Sequence, residues 1–240
     1  MTDVSFAANP DITFRSSDGV LFHIHKIHLQ VEAGGFAPTE FHAPGEVVSL
    51  TEDSATLNIL FKFLYPACRA ANSLESIDPG LLETVAEAAE KYEVYTAMDV
   101  CYARLGEALP AEAYRIMIFA YKHENHELLD KAAVALLAHP FEEVMKKLPR
   151  DLAVHWALYY DTWSRLQRKA CTWHATEYKW RCKSSQCVNI MRDMGEDVLV
   201  VMSAELIAKL TEAHGNKGGS WTDYVKKKSE NIPKFSSFFK

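Results

Sequence analysis

Four residues in the last third of the chain have the types and spacing of a metal site. Cys171 and His174 bracket two residues, and Cys182 and Cys187 bracket four. Cys-x2-His and Cys-x4-Cys are spacings that a tetrahedral zinc ion accepts, with thiolate and imidazole as donors. With all four positions filled by protein, the site is closed and structural, not catalytic. Glu177 is placed to hold the second ring nitrogen of His174. The competing reading is a helix end and hairpin with packed cysteines. Lys179, Arg181 and Lys183 raise the local positive charge.

Other chemistry-bearing residues form weaker patterns. His23, His25 and His28 look like a metal pair on a strand, but no further ligand has a clear place beside them. His123 and His126, with Glu124 and Glu127, read as a solvated helix end. Gly215 to Gly219 follows a helical stretch rather than a strand, so it reads as a loop and not a phosphate cradle. Cys68 and Cys101 read as small core residues. No base, nucleophile and orienter can be assembled from these motifs, so catalysis is not expected. One further set is basic and aromatic: Arg165, Arg168, Lys169, Lys179, Arg181, Lys183 and Lys226 to Lys228, interleaved with Trp173, Tyr178, Trp180 and Trp221. Such a surface can stack bases, which gives a nucleic-acid-associated regulator as the alternative function. A solvated face balanced by acidic neighbours explains it better.

The elements that must position these residues are legible from periodicity. Ser16 to Gly19 is turn chemistry ending in Asp-Gly. Ile12 and Phe14 before it, and Val20, Phe22 and Ile24 after it, alternate with polar Thr13, Arg15 and His23. That predicts a hairpin with one buried face. Val47 to Leu50 predicts a third strand. Asp53 or Ser54 can cap a helix whose apolar stripe is Leu57, Leu60, Phe61 and Leu64, stopped at Tyr65-Pro66. Asp78-Pro79 starts a helix with Leu82, Val85, Ala89 and Tyr92 on one face. The expected core is Phe14, Phe22, Ile24, Leu50, Leu60, Leu64, Val85 and Ala89. Beyond residue 105 the chain reads as helical. Tyr114, Ile118 and Tyr121 share one predicted face, with Met117 beside them. Leu129, Ala132, Ala133, Leu136 and Leu137 form another, and Leu152, Trp156, Tyr159, Trp163 and Leu166 a long core-facing stripe.

Four segments in register resemble a BTB/POZ domain over roughly residues 9–105. They are Asp11-Ile12 opening the first strand, Phe22-His23-Ile24-His25-Lys26 running to Leu29, Leu64-Tyr65 ending a helix, and Ala89 to Tyr92 within the next. The Leu64-Tyr65-Pro66 ending is similar to that of many fungal members. The resemblance implies an α+β fold: a small three-stranded sheet flanked by helices over 9–105, a helical extension over 106–150, and a mostly helical C-terminal region over 151–240. It implies a non-enzymatic protein–protein interaction module or adaptor that binds protein partners through this domain, as a homodimer or hetero-oligomer. It places a charged pair, Asp11 and Lys26, near the interaction groove. Phe36 stands where the family has a phenylalanine. Glu40 follows Pro38, which is not the family's cullin-binding signal, so the resemblance does not imply cullin recruitment. The long N-terminal helix that many dimers exchange is not expected either, since the chain begins about ten residues before the predicted first strand.

Composition frames these readings. The chain has 240 residues, 48% of them hydrophobic, and five cysteines. An odd cysteine count without a secretory leader argues against a disulfide framework. No signal peptide is expected in Met1 to Pro10, and no stretch approaches the roughly 18 apolar residues of a membrane span. A cytoplasmic or nuclear location follows. The net charge of −6 hides a split, with −9 over residues 1–105 and +3 over the rest. An acidic first part is poor ground for nucleic-acid binding by the whole chain.

Overall fold

The computed structural model describes residues 3–6, 9–36, 46–69, 74, 77–173 and 227–239 of the chain. It is mixed α and β and mostly helical. A four-stranded mixed sheet is accompanied by nine α-helices among the described residues. Two compact units divide between Ala108 and Leu109. No helix among the described residues is long and apolar enough to cross a membrane.

In the first unit, β2 (Ile12–Arg15) and β3 (Leu21–Ile24) form the expected hairpin, with Phe14 opposite Phe22. Ser16 closes the turn: its backbone N–H donates to the Val20 carbonyl (3.0 Å), and its Oγ accepts from the Val20 N–H (2.9 Å). Gly19 has φ +88°, a conformation that favours glycine. The third predicted strand is β4 (Val47–Ser49), parallel to β2.

The sheet has four strands, not three. β1 (Asp3–Ser5) pairs in parallel with β3, giving the order β1-β3-β2-β4. A three-residue Asp-Val-Ser edge strand is recruited by the backbone donors and acceptors of β3, and it is too short to show a period. The predicted start of the first strand near residue 11 is corrected accordingly. Leu50 is also a correction: it lies past the end of β4 and is half-buried, not core. Its N–H donates to the Arg15 carbonyl (2.8 Å), so the backbone is held at the sheet edge rather than the side chain in the interior.

Helix α1 (Lys26–Glu32) follows β3. Helix α2 (Ser54–Leu64) is the centre of this unit, packing on α1, α4 and α5. Asp53 is its N-cap, accepting from the Thr56 N–H (2.8 Å), while Asp18 accepts from the N–H and hydroxyl of Ser54 (2.9 and 2.6 Å). Leu57, Leu60, Phe61 and Leu64 are fully buried. Burying each such side chain contributes about 1.5–3 kcal/mol. After the short α3 (Pro66–Arg69), α4 (Pro79–Lys91) begins with Asp78 accepting from the Gly80 and Leu81 N–H groups. α5 (Tyr95–Glu107) packs on α4. An aromatic cluster of Phe6, Phe14, Phe22, Phe36 and Phe61 fills the space under the sheet, with ring centroids 5.3–6.5 Å apart.

The described residues of the second unit form helices: α6 (Ala113–Lys122), α7 (His126–Leu136), α8 (Phe141–Lys147) and α9 (Arg150–Trp173), with a 3-10 turn at Phe235–Phe239. The predicted face of α6 is corrected. Ala113, Ile116, Met117 and Ala120 are buried, whereas Tyr114, Ile118 and Tyr121 are only half-buried. The buried residues are themselves spaced i, i+3, i+4, i+7, a regular stripe that its two small alanines make less conspicuous than Tyr114, Ile118 and Tyr121. Its two alanines permit close approach to α7, which contributes the equally buried Ala132 and Ala133. On α9 the predicted stripe is inside at Leu152, Trp156, Tyr159 and Leu166, with Trp163 half-buried.

Candidate protein-interaction surface

Helix α1 is seven residues, too short to be stable alone, and its N-cap residue His25 makes no side-chain cap. The surrounding fold supplies what is missing. Asp11 Oδ1 accepts from the Lys26 N–H at 2.6 Å, and the Tyr65 hydroxyl accepts from the His25 N–H at 3.0 Å. The family-derived pair is therefore adjacent, with the Asp11 carboxylate on the Lys26 backbone at the positive end of the helix. Leu29 anchors the inner face. The outer face carries Ile27, 58% exposed, and Val31, 70% exposed, four residues apart.

The chain leaving α1 is sewn to the end of α4. Gly34 and Gly35 donate N–H bonds to the carbonyls of Glu93 (3.2 Å) and Tyr92 (2.9 Å). A Cβ at Gly35 would lie 2.6 Å from the Lys91 carbonyl oxygen, so only glycine allows this approach. Phe36 then stacks on Tyr92, centroids 4.4 Å apart and nearly parallel. Tyr95, 57% exposed, stands next to Gly34 and donates to Glu93 (3.1 Å). Ile27, Val31 and Tyr95 are exposed large apolar residues of this unit. Pro38 and Glu40 lie outside the described residues.

A buried-edge polar cluster fixes the same α4 terminus. Glu52 accepts from Lys91 Nζ (2.7 Å) and from the Tyr92 hydroxyl (2.6 Å). Burial raises the Glu52 carboxyl, but the hydrogen bonds from Lys91, Tyr92 and Thr51 outweigh it and hold the group below its usual range. Burial, with the Glu52 hydrogen bond, pushes the Tyr92 phenol up to about 12. Sequence periodicity missed Glu52, because its partners are some 40 residues away in the chain.

The remaining sequence candidates scatter. His23 Nδ1 is 3.0 Å from Thr13 Oγ1 on the outer face of the hairpin, and its Nε2 is 3.9 Å from Asp3. His25 and His28 lie near each other, ring centroids 5.8 Å apart, and His28 packs on Tyr65 at 4.2 Å. His123 packs on Phe119, and His126 begins α7. Among the described residues no group of three His, Cys, Asp or Glu is placed to hold a metal ion. Cys101 is buried, and burial with the nearby Glu90 pushes its thiol up to about 12, away from thiolate chemistry. Cys68 is half-buried. The zinc candidates His174, Cys182 and Cys187 lie outside the described residues, as does the side chain of Cys171. Arg165 and Arg168 both face Asp161, at 2.6 and 3.8 Å. Most of the other basic and aromatic residues of that set lie outside the described residues.

Neither the family models nor the curated proteins compared with the chain give a match.

Proposed function

We propose that this chain is a BTB/POZ-like, non-enzymatic interaction module, and that the outer face of α1 beside Asp11 and Lys26 is where it binds protein. The observation that carries this reading is the exposed Ile27–Val31 ridge on a short helix hydrogen-bonded to Asp11 and Tyr65 at its start and, just past its end, to Tyr92 and Glu93. A rigid helix with outward apolar residues suits helix-face recognition, and pre-organisation lowers the ordering cost of binding. The local order of hairpin, short helix, strand and capped helix over residues 9–105 is also what the resemblance leads one to expect. The partner is a second copy of the chain. A seven-residue helix offers little area, and small interfaces tend to be weak. The dimer should therefore dissociate in the micromolar range, about −8 kcal/mol. Sedimentation velocity across that range tests it. A shift to monomer in Val31→Asp and Ile27→Asp is expected. A protein monomeric throughout, or a tight dimer indifferent to both changes, overturns the reading.

A further inference from the structure

Among the described residues of the first unit, the exposed large apolar side chains are Ile27, Val31 and Tyr95. They do not scatter. Ile27 and Val31 lie on the outer face of α1, and Tyr95 reaches the chain just past its end, where its hydroxyl and the Glu93 carboxylate crowd Gly34. Single exposed apolar residues need no explanation, but a cluster built by two helices distant in sequence does.

Tyr95 is the first residue of α5, and its hydroxyl donates to Glu93 Oε2 at 3.1 Å, a bond that raises the phenol above its usual range. Glu93 is itself fixed. Its backbone sits in the left-handed region, φ +49°, and its carbonyl accepts from the Gly34 N–H at 3.2 Å. The tyrosine ring is therefore exposed while its far end is tethered, which removes rotamer freedom before anything binds. Tyrosine is enriched among the residues that dominate interfaces.

The surface is also polarised from end to end. The only lysine or arginine of α1 is Lys26, at its first position. The carboxylate of Glu32 follows about 9 Å along the helix, and Glu93 meets the chain just beyond it. Opposite charges at the two ends of one apolar ridge complement themselves under a two-fold axis.

Building on the α1 reading above, we propose that Tyr95 is the anchor of that surface, and that two copies meet antiparallel across the Ile27–Val31 ridge. Each Tyr95 ring, with Glu93 beside it, receives Lys26 of the second copy: a cation over an aromatic face, backed by a carboxylate. The interface then includes the start of α5, which enlarges what a seven-residue helix offers alone.

Sedimentation equilibrium of the full chain tests this, with the folding of each variant checked by circular dichroism. Tyr95→Ala should weaken the dimer at least about tenfold. Tyr95→Phe keeps the ring and loses the tether, and should weaken it about two- to threefold. Lys26→Ala should weaken the wild-type dimer about fivefold and the Tyr95→Ala dimer much less, because the ring it meets is gone. A dimer that Ile27→Asp breaks and Tyr95→Ala leaves unchanged overturns this inference while the α1 reading stands. Losses from Lys26→Ala and Tyr95→Ala that simply multiply overturn the pairing. If Tyr95→Ala does not fold, Lys26→Ala decides, and an unchanged dimer overturns the proposal. A chain monomeric at every concentration overturns both readings.

Discussion

Single residues set the most testable features of the first unit. A carboxyl whose pKa falls on folding stabilises the native state above its unfolded value, and the gain disappears as pH drops through the folded value. Glu52 starts from 4.5 and is lowered, so its contribution is present at neutral pH and is lost on acidification below 4.5. Tyr92 moves the other way, from 10.0 to about 12, so its contribution is present below pH 10 and fades as pH rises toward 12. Glu52→Gln should cost about 1.5 kcal/mol at pH 7, flatten the acid limb and only weaken the alkaline one, because the charge-assisted hydrogen bonds are lost while the burial that mainly raises Tyr92 remains. Urea midpoints from pH 3 to 11 check this; unchanged limbs would show that the cluster carries no stability. Gly35 is the second case. Gly35→Ala forces a methyl group into the Lys91 carbonyl and should destabilise by about 2 kcal/mol, with Phe36 pulled off Tyr92. Thermal unfolding measures the cost.

Elements were selected by neighbours as much as by their own residues. α2 and α4 carry their own caps, Asp53 and Asp78, and their stripes are pure enough to read from sequence. α1 and β1 are different: each is short, and each exists because another segment holds its backbone. α6 shows the same dependence in its choice of face, which the two alanines decide. Ala120→Leu should therefore destabilise by about 1–3 kcal/mol through overpacking against α7, although leucine is a good helix former. A gain in stability would mean that the α6–α7 contact tolerates a wider separation.

At the scale of the whole molecule, the charge split and the cysteine set bear on function. The acidic first 105 residues, net −9, oppose polyanion binding. On the adaptor reading, a random single-stranded oligonucleotide should show no saturable binding at about 0.15 M salt. Binding whose logarithm falls linearly with the logarithm of salt would favour the nucleic-acid reading. For Cys171, His174, Cys182 and Cys187, elemental analysis of protein purified without chelator is the measurement. One zinc per chain, lost on acidification as thiolates protonate, is expected if the set is a structural site.

The sequence alone determined what depends on local chemistry. It specified the hairpin from its turn residues and alternation, the caps and stripes of α2 and α4, the helical character of residues 113–173, and the Leu152 to Leu166 stripe. Tertiary structure decided what depends on partners distant in the chain. Asp11 caps a helix 15 residues away, Glu52 joins residues some 40 away, and Asp130 holds Ser236 across 106 positions. It also added β1, whose pairing runs through the backbone, and moved Leu50 out of the core. Periodicity reports which face of a segment is apolar. It says nothing of which distant group satisfies a donor, or of which of two apolar sets on one helix is buried, because those are settled by packing and hydrogen-bond geometry that exist only once the chain has folded.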